Sequence, residues 1–194
     1  YHVLATVEGE VLRAESRAAA SGLVAKAPPS AAPVSLSWRW RIERCTDNGR
    51  ERSREGDDFP ARVFVLFGEG EGGSDPFGWF MRALGDKPFG DLRPDGALNY
   101  IWASRLPEGA TFESPVGARV RMQVLRSGCG TGGGWRQETR TLAADYEQAF
   151  GTDMPEVLGV AVMTDTDDTR GHAVAWYAGV RWSTVAGDAV PVPF

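Results

Sequence analysis

The chain reads as an all-β protein, an antiparallel sandwich, and three observations carry that assignment. Residues 34–44, VSLSWRWRIER, alternate strictly, with Leu36, Trp38, Trp40 and Ile42 on one face and Ser37, Arg39, Arg41 and Glu43 on the other. That is the period of a half-buried strand. Residues 61–67, ARVFVLF, are almost wholly apolar and β-branched or aromatic, as in a central strand covered on both faces. Short runs of this kind recur between glycines and prolines, without the strand–helix alternation of a parallel α/β fold.

Taken in order, residues 2–7 and 10–15 flank Gly9 and predict a hairpin. A short strand at 21–25 precedes the Pro- and Ala-rich connector 27–33 and the alternating strand 34–44. After the strand at 61–67, further strands are predicted at 99–103, 118–126, 135–142, 157–164 and 173–182. Two short helices interrupt them. Residues 75–84 begin acidic, carry Pro76 in the first turn and stop before Gly85; residues 142–150 place Leu142, Tyr146, Ala149 and Phe150 at helical spacing before Gly151. The charged, Gly-containing stretches 46–57 and 68–74 read as long surface loops with a functional or flexible role. Phe77, Trp79, Phe80 and Phe89 make an aromatic-rich excursion, either a cap on the sandwich or a partner surface.

At 194 residues the chain fits one domain, 1–194, large enough to bury a core without metal or disulfide staples. A net charge of −5 without a basic block argues against nucleic acid. No apolar segment reaches the roughly 20 residues that span a bilayer. Tyr1 rather than Met opens the sequence, and a removed signal peptide is one account of that. Cys45 and Cys129 stand at the ends of two predicted strands; a disulfide and two unrelated thiols are both open.

The blocks SLSWRWRIERC at 35–45, EGDDFPARVFVLF at 55–67, LNYIWA at 98–103, LAADYEQAFG at 142–151 and VMTDTDDTRGHAVAWY at 162–177 resemble the DUF3047 family of bacterial proteins of unknown function, in the same order and over most of the chain from Leu12 onward. The resemblance implies a secretion signal and export to the periplasm, and at the level of fold a galactose-binding-like jelly roll. It supplies no catalytic residues. Two features depart from the family pattern: Asp168, where the family usually has Asn, and the pair Cys45 and Cys129.

An apolar run at 160–163 ends in Asp165, Asp167 and Asp168, turns at Gly171 and resumes at Ala173, so a buried strand delivers three carboxylates to one rim of a sheet. Clustered like charges repel unless compensated, by Arg39, Arg41, Arg62 or a cation. Oxygen-rich turns suit Ca²⁺, although Arg170 and Trp176 stand where an EF-hand needs Gly and Glu. Turn chemistry, in which Asp and Thr bond local N–H groups, is the other reading. Asp165, Asp167 and Asp168 are thus the candidate metal ligands, with Ca²⁺ the candidate ion.

Asp57 and Asp58 open the strand at Ala61 beside Arg62. Converging with the first cluster, they would make an acid/base pair conceivable, but nothing marks which carboxyl holds a proton. GCGTGGG at 128–134 is followed by the alternating WRQETRTL rather than by a helix, so it is a hairpin loop and not a phosphate cradle. His2 and His172 are the only histidines, which argues against a histidine zinc site and a Ser-His-Asp hydrolase.

Arg39 and Arg41, opposite the tryptophans of their strand, either pair with carboxylates on neighbouring strands or line a groove with Tyr100 and Trp102. The candidate ligand-binding residues are therefore Arg39, Arg41, Asp58, Arg62, Tyr100 and Trp102. The expectation is a non-catalytic extracytoplasmic binding domain for a carbohydrate or other polar ligand. The alternative is an accessory subunit docking on a larger extracytoplasmic or membrane-associated assembly.

Overall fold

Alternating and fully apolar strands need two packed layers, and a computed structural model supplies them as two six-stranded sheets. It describes residues 1–7, 9–28, 33–68, 92, 94–115, 117–130 and 133–194. The helix expected at 75–84, the aromatic residues Phe77, Trp79, Phe80 and Phe89, and the loop after Gly68 lie outside the described residues.

The first sheet is ordered β1 (His2–Thr6), β2 (Gly9–Arg17), β11 (His172–Thr184), β4 (Pro33–Arg44) and β9 (Arg136–Thr141), with β12 (Ala189–Pro191) also paired to β11. The second is ordered β3 (Ala20–Lys26), β10 (Glu156–Asp165), β5 (Ala61–Gly68), β6 (Gly96–Ala103), β8 (Gly117–Ser127) and β7 (Thr111–Ser114). An α-helix, α1 (Leu142–Phe150), follows β9 and ends at Gly151, whose left-handed φ of 73° favours a residue without a side chain.

The protein is an all-β sandwich, with one departure from a wholly antiparallel plan. β6 and β8 pair in parallel, because β7 takes the edge, turns back as β8, and β8 inserts between β7 and β6. The predicted strands are all present; β7 and β12, each of four residues or fewer, were too short to carry a periodic signal.

The main core lies between the sheets. Leu36, Trp38, Trp40 and Ile42 point into it from β4 and meet Val63, Val65, Tyr100, Trp102, Val160 and Val162 from the second sheet. Trp38 and Trp40 are fully buried, each indole being worth roughly 5 kcal/mol in transfer terms. The period-two reading of β4 therefore holds at every inward position.

A second apolar cluster covers the outer face of the second sheet, with Phe64, Leu66, Ile101, Met122, Ala161 and Met163 among its members. This is why β5 and β6 are buried at every residue. Cys45, just after β4, and Cys129, just after β8, form a disulfide with Cα atoms 5.4 Å apart, tying the first sheet to the second.

Candidate binding face and acidic cluster

The aspartates after β10 gather where that strand meets β5. Met163 lies opposite Arg62 in the antiparallel register, so Arg62 and Asp165 share the outer face of the second sheet. Arg62 is buried there and gives Nε and Nη2 to the two carboxylate oxygens of Asp165, at 2.9 and 2.5 Å. Its Nη1 reaches Asp57 at 3.3 Å, its Nη2 the Asp57 carbonyl, and its guanidinium lies 4.7 Å from the Phe59 ring. The N–H of Phe59 completes the Asp165 shell at 3.1 Å.

Asp57 and Asp58 are brought there by the stretch 46–60, which is pinned rather than loose. Glu51 is buried and accepts the backbone N–H groups of Ser104, Arg105 and Leu106. Asn48 donates to the Gly56 carbonyl at 2.6 Å, and Ser104 Oγ receives the Asn48 N–H at 2.9 Å. From the other side, turn 166–171 folds over Asp58, whose carboxylate accepts the N–H groups of Asp168 and Thr169 at 3.3 and 2.5 Å. Thr46 Oγ1 takes the His172 N–H at 3.0 Å, and a Cβ on Gly171 would collide with that hydroxyl at 2.0 Å. The turn and the disulfide-linked stretch therefore close against each other.

Carboxylate oxygens of Asp58, Asp165 and Asp167 lie within 4.8 Å of one another. Three carboxylates, those of Asp57, Asp58 and Asp165, thus act on one guanidinium, and Asp167 lies close to two of them. Burial pushes the Asp165 carboxyl up to about 8 against the pull of Arg62, with Asp57 and Asp58 adding to the rise. Asp57 is raised by burial in the same way. Asp168 is raised to about 6, by desolvation and then by Asp167, Asp58 and Asp57. The surplus of negative charge suits a proton or a hard cation. Oxygen donors of this kind fit Ca²⁺, and Asp58, Asp165 and Asp167 are the residues that could hold it.

A different chemistry occupies the outer face of the first sheet. Arg13 on β2, Trp176 on β11, Arg41 on β4, Trp135 just before β9 and Arg39 on β4 alternate across it. The guanidinium-to-ring distances along the row are 5.8, 4.4, 5.5 and 5.3 Å. The register Trp176–Arg41 and Trp176–Arg13 sets three of these residues side by side. Trp176 Nε1 donates to Glu43 at 2.8 Å, and Arg13 pairs with Glu15 at 2.8 Å. A pocket of about 420 Å³ opens at the middle of the row, lined by Arg41, Trp135, Trp176, Val11, Gly133 and Gly134, with the β1–β2 turn on one side.

A family model described as a protein of unknown function, DUF3047, matches residues 1–181 of the 194. The chain belongs to DUF3047. No curated protein matches it.

The expected site of this DUF3047 chain is divided by the fold. Asp165 and Asp167 come together as expected, but Asp58 rather than Asp168 completes the close group. Asp168 spends its backbone N–H on Asp58 and is itself exposed. Arg62 and Asp58 belong to that buried network, not to an open groove.

Tyr100 and Trp102 cannot line a groove with Arg39 and Arg41, because both lie in the core between the sheets. Tyr100 stacks 5.4 Å from Trp38 and donates to Asp145 of α1 at 2.7 Å; Trp102 meets Trp40 at 5.7 Å and donates to the Gly128 carbonyl at 3.0 Å. Arg39 and Arg41 do have aromatic neighbours, but these are Trp135 and Trp176. Alternation along β11 marks Trp176 as facing away from the buried Tyr177. The place of Trp135 depends on β4 pairing with β9, across about a hundred residues of chain, which no local pattern reveals.

Proposed function

We propose that this DUF3047 domain is a non-catalytic, extracytoplasmic binding domain that holds a carbohydrate or related polar ligand on the outer face of its first sheet. The observation that carries the reading is the alternating row of arginines and tryptophans around an open pocket of about 420 Å³. Indole faces stack on the apolar faces of sugar rings, and guanidinium donors bind hydroxyls around them. A galactose-binding-like jelly roll, which the family resemblance implies, would suit ligand capture on a sandwich of this kind. Export to the periplasm is supported by the Cys45–Cys129 disulfide, a bond that persists in oxidising compartments. No helix among the described residues is long and apolar enough to cross a membrane.

A glycan array followed by calorimetry on wild type, Trp176→Ala and Trp135→Ala tests the reading. Binding that falls about tenfold or more in both variants, with unchanged thermal stability, supports it. Wild-type protein that binds no glycan on the array overturns it.

The second reading is an accessory subunit of a larger extracytoplasmic or membrane-associated assembly. It is favoured by β1, an edge strand exposed at all five residues, with Val3 57% and Val7 106% accessible near its ends. An apolar edge of this kind invites pairing with another chain. Stoichiometric co-purification with other proteins from native extracts, lost on Val3→Lys, distinguishes it from glycan binding.

A further inference from the structure

Among the five residues of the outer row, Arg41 is set apart. Its neighbours are provided for: Arg13 pairs with Glu15, and the Glu43 carboxylate receives Trp176 Nε1. Arg41 lies between two indoles, 4.4 Å from the Trp176 ring and 5.5 Å from the Trp135 ring. It makes no ion pair among the described residues, and its buried Nε has no hydrogen-bond partner. A buried, unsatisfied donor is costly, and the cost is recovered when an acceptor arrives. That Nε is closed off from solvent, but the same side chain lines the open pocket, so a ligand acceptor is placed to meet the outer end of a guanidinium that has no ion-pair partner among the described residues.

We propose that the ligand of this pocket is an acidic sugar, a uronate, and that Arg41 receives its carboxylate. The inference rests on the reading of this face as a carbohydrate platform and names the chemistry that the platform selects.

Three physical points single out a carboxylated ring. The guanidinium fork matches a planar carboxylate through two parallel N–H···O bonds, which a neutral hydroxyl cannot reproduce. Flanking indoles shield part of the guanidinium from water, which strengthens a charge-assisted bond formed there. The same indoles offer flat apolar surface to the sugar ring that carries the carboxylate, so one pocket reads both parts of a uronate. The net charge of −5 is no obstacle, because the buried acidic cluster faces outward from the second sheet while Arg41 faces outward from the first.

The test compares α-1,4-linked trigalacturonate with the neutral galactose trisaccharide of the same linkage, by calorimetry at low and at high salt, on wild type, Arg41→Gln and Arg41→Lys. The charged trisaccharide should bind about ten- to a hundredfold tighter than the neutral one, and the preference should shrink in high salt. Arg41→Gln should erase the preference while leaving the melting temperature unchanged. Arg41→Lys, which keeps the charge but loses the fork, should keep only part of it. Equal binding of both trisaccharides overturns the uronate assignment and leaves the carbohydrate reading standing. Binding of neither, together with a blank glycan array, overturns both.

Discussion

Replacing Asp168 by Asn should stabilise the protein at neutral pH and leave it unchanged in acid. Asp168 sits on turn 166–171 with its carboxyl raised to about 6 by partial desolvation and by the charges of Asp167, Asp58 and Asp57. In the unfolded chain it titrates near 3.9. A carboxyl whose folded value lies above its unfolded value binds the proton better when folded, so a penalty on folding builds up as pH rises above the unfolded value and is complete above the folded one. The penalty fades as pH falls through the window between about 6 and about 4, and is absent below it. Unscreened, the gap corresponds to about 3 kcal/mol. Asp168 is exposed, so water and salt screen most of that and leave about 1 kcal/mol. The substitution keeps the backbone N–H that Asp168 donates to Asp58. Urea unfolding in EDTA, which keeps divalent ions from masking the repulsion, should show Asp168→Asn more stable by about 1 kcal/mol at pH 7.5. In thermal terms this is a rise of roughly 2–4 °C. At pH 4 the two proteins should coincide. A difference that is the same at both pH values, or a variant less stable at pH 7.5, would refute the charge argument.

Three further perturbations probe the parts that hold the sandwich together. Arg62→Leu removes the partner of the buried Asp57 and Asp165 carboxyls and should cost about 3–5 kcal/mol in urea unfolding at pH 9, above the value of about 8 to which Asp165 is raised; the loss should shrink as pH falls through that value and Asp165 takes up a proton, and a cost below about 1 kcal/mol at pH 9 would show that the pairs are dispensable. Replacing Cys45 and Cys129 together by Ala releases a crosslink spanning 84 residues and should lower stability by about 2–4 kcal/mol, with no further effect of reductant on the variant. Gly159→Ala places a Cβ 2.6 Å from the Ala25 carbonyl across the β10–β3 pairing; overpacking of this kind costs about 1–3 kcal/mol, and a neutral result in thermal unfolding would mean that β3 moves aside freely.

The strands and their inward faces were legible because period two is local: β4 announces its buried side in eleven consecutive residues, and β5 announces burial on both sides by lacking alternation. What the chain conceals is which strand ends lie together. Asp58 and Asp165 are separated by more than a hundred residues and meet only because β5 and β10 are neighbours in one sheet. Tyr100 and Trp102 are two residues apart and share a face, as alternation requires, but nothing local assigns that face to the core. The stretch 46–57 reads as a long surface loop with a functional or flexible role because it is charged and contains glycine, yet Glu51 and Asn48 spend their polar atoms on the backbone of 104–106 and 56. Composition alone does not distinguish a solvated loop from one whose charges are satisfied internally.

The two polar constellations of this sandwich answer to different physical demands, and that difference is the ground for the roles proposed for them. In the acidic cluster, Asp165 has both oxygens engaged by Arg62, and Asp58 has both engaged by backbone N–H groups of turn 166–171. Those bonds join the turn, the strand β5 and the stretch before it, so what the cluster gains from its partners is spent on closing one end of the fold. The outer row on the first sheet closes nothing comparable. Its tryptophans are partly exposed and border an open pocket, and its central guanidinium has an Nε without a hydrogen-bond partner. Aromatic surface of that size left in contact with water, beside an unsatisfied donor, is a cost to folding that burial in the core would have avoided. A cost of that kind on an open face is recovered when a ligand covers it, and on that ground the proposed binding role is placed on Arg41, Trp135 and Trp176 rather than on the aspartates.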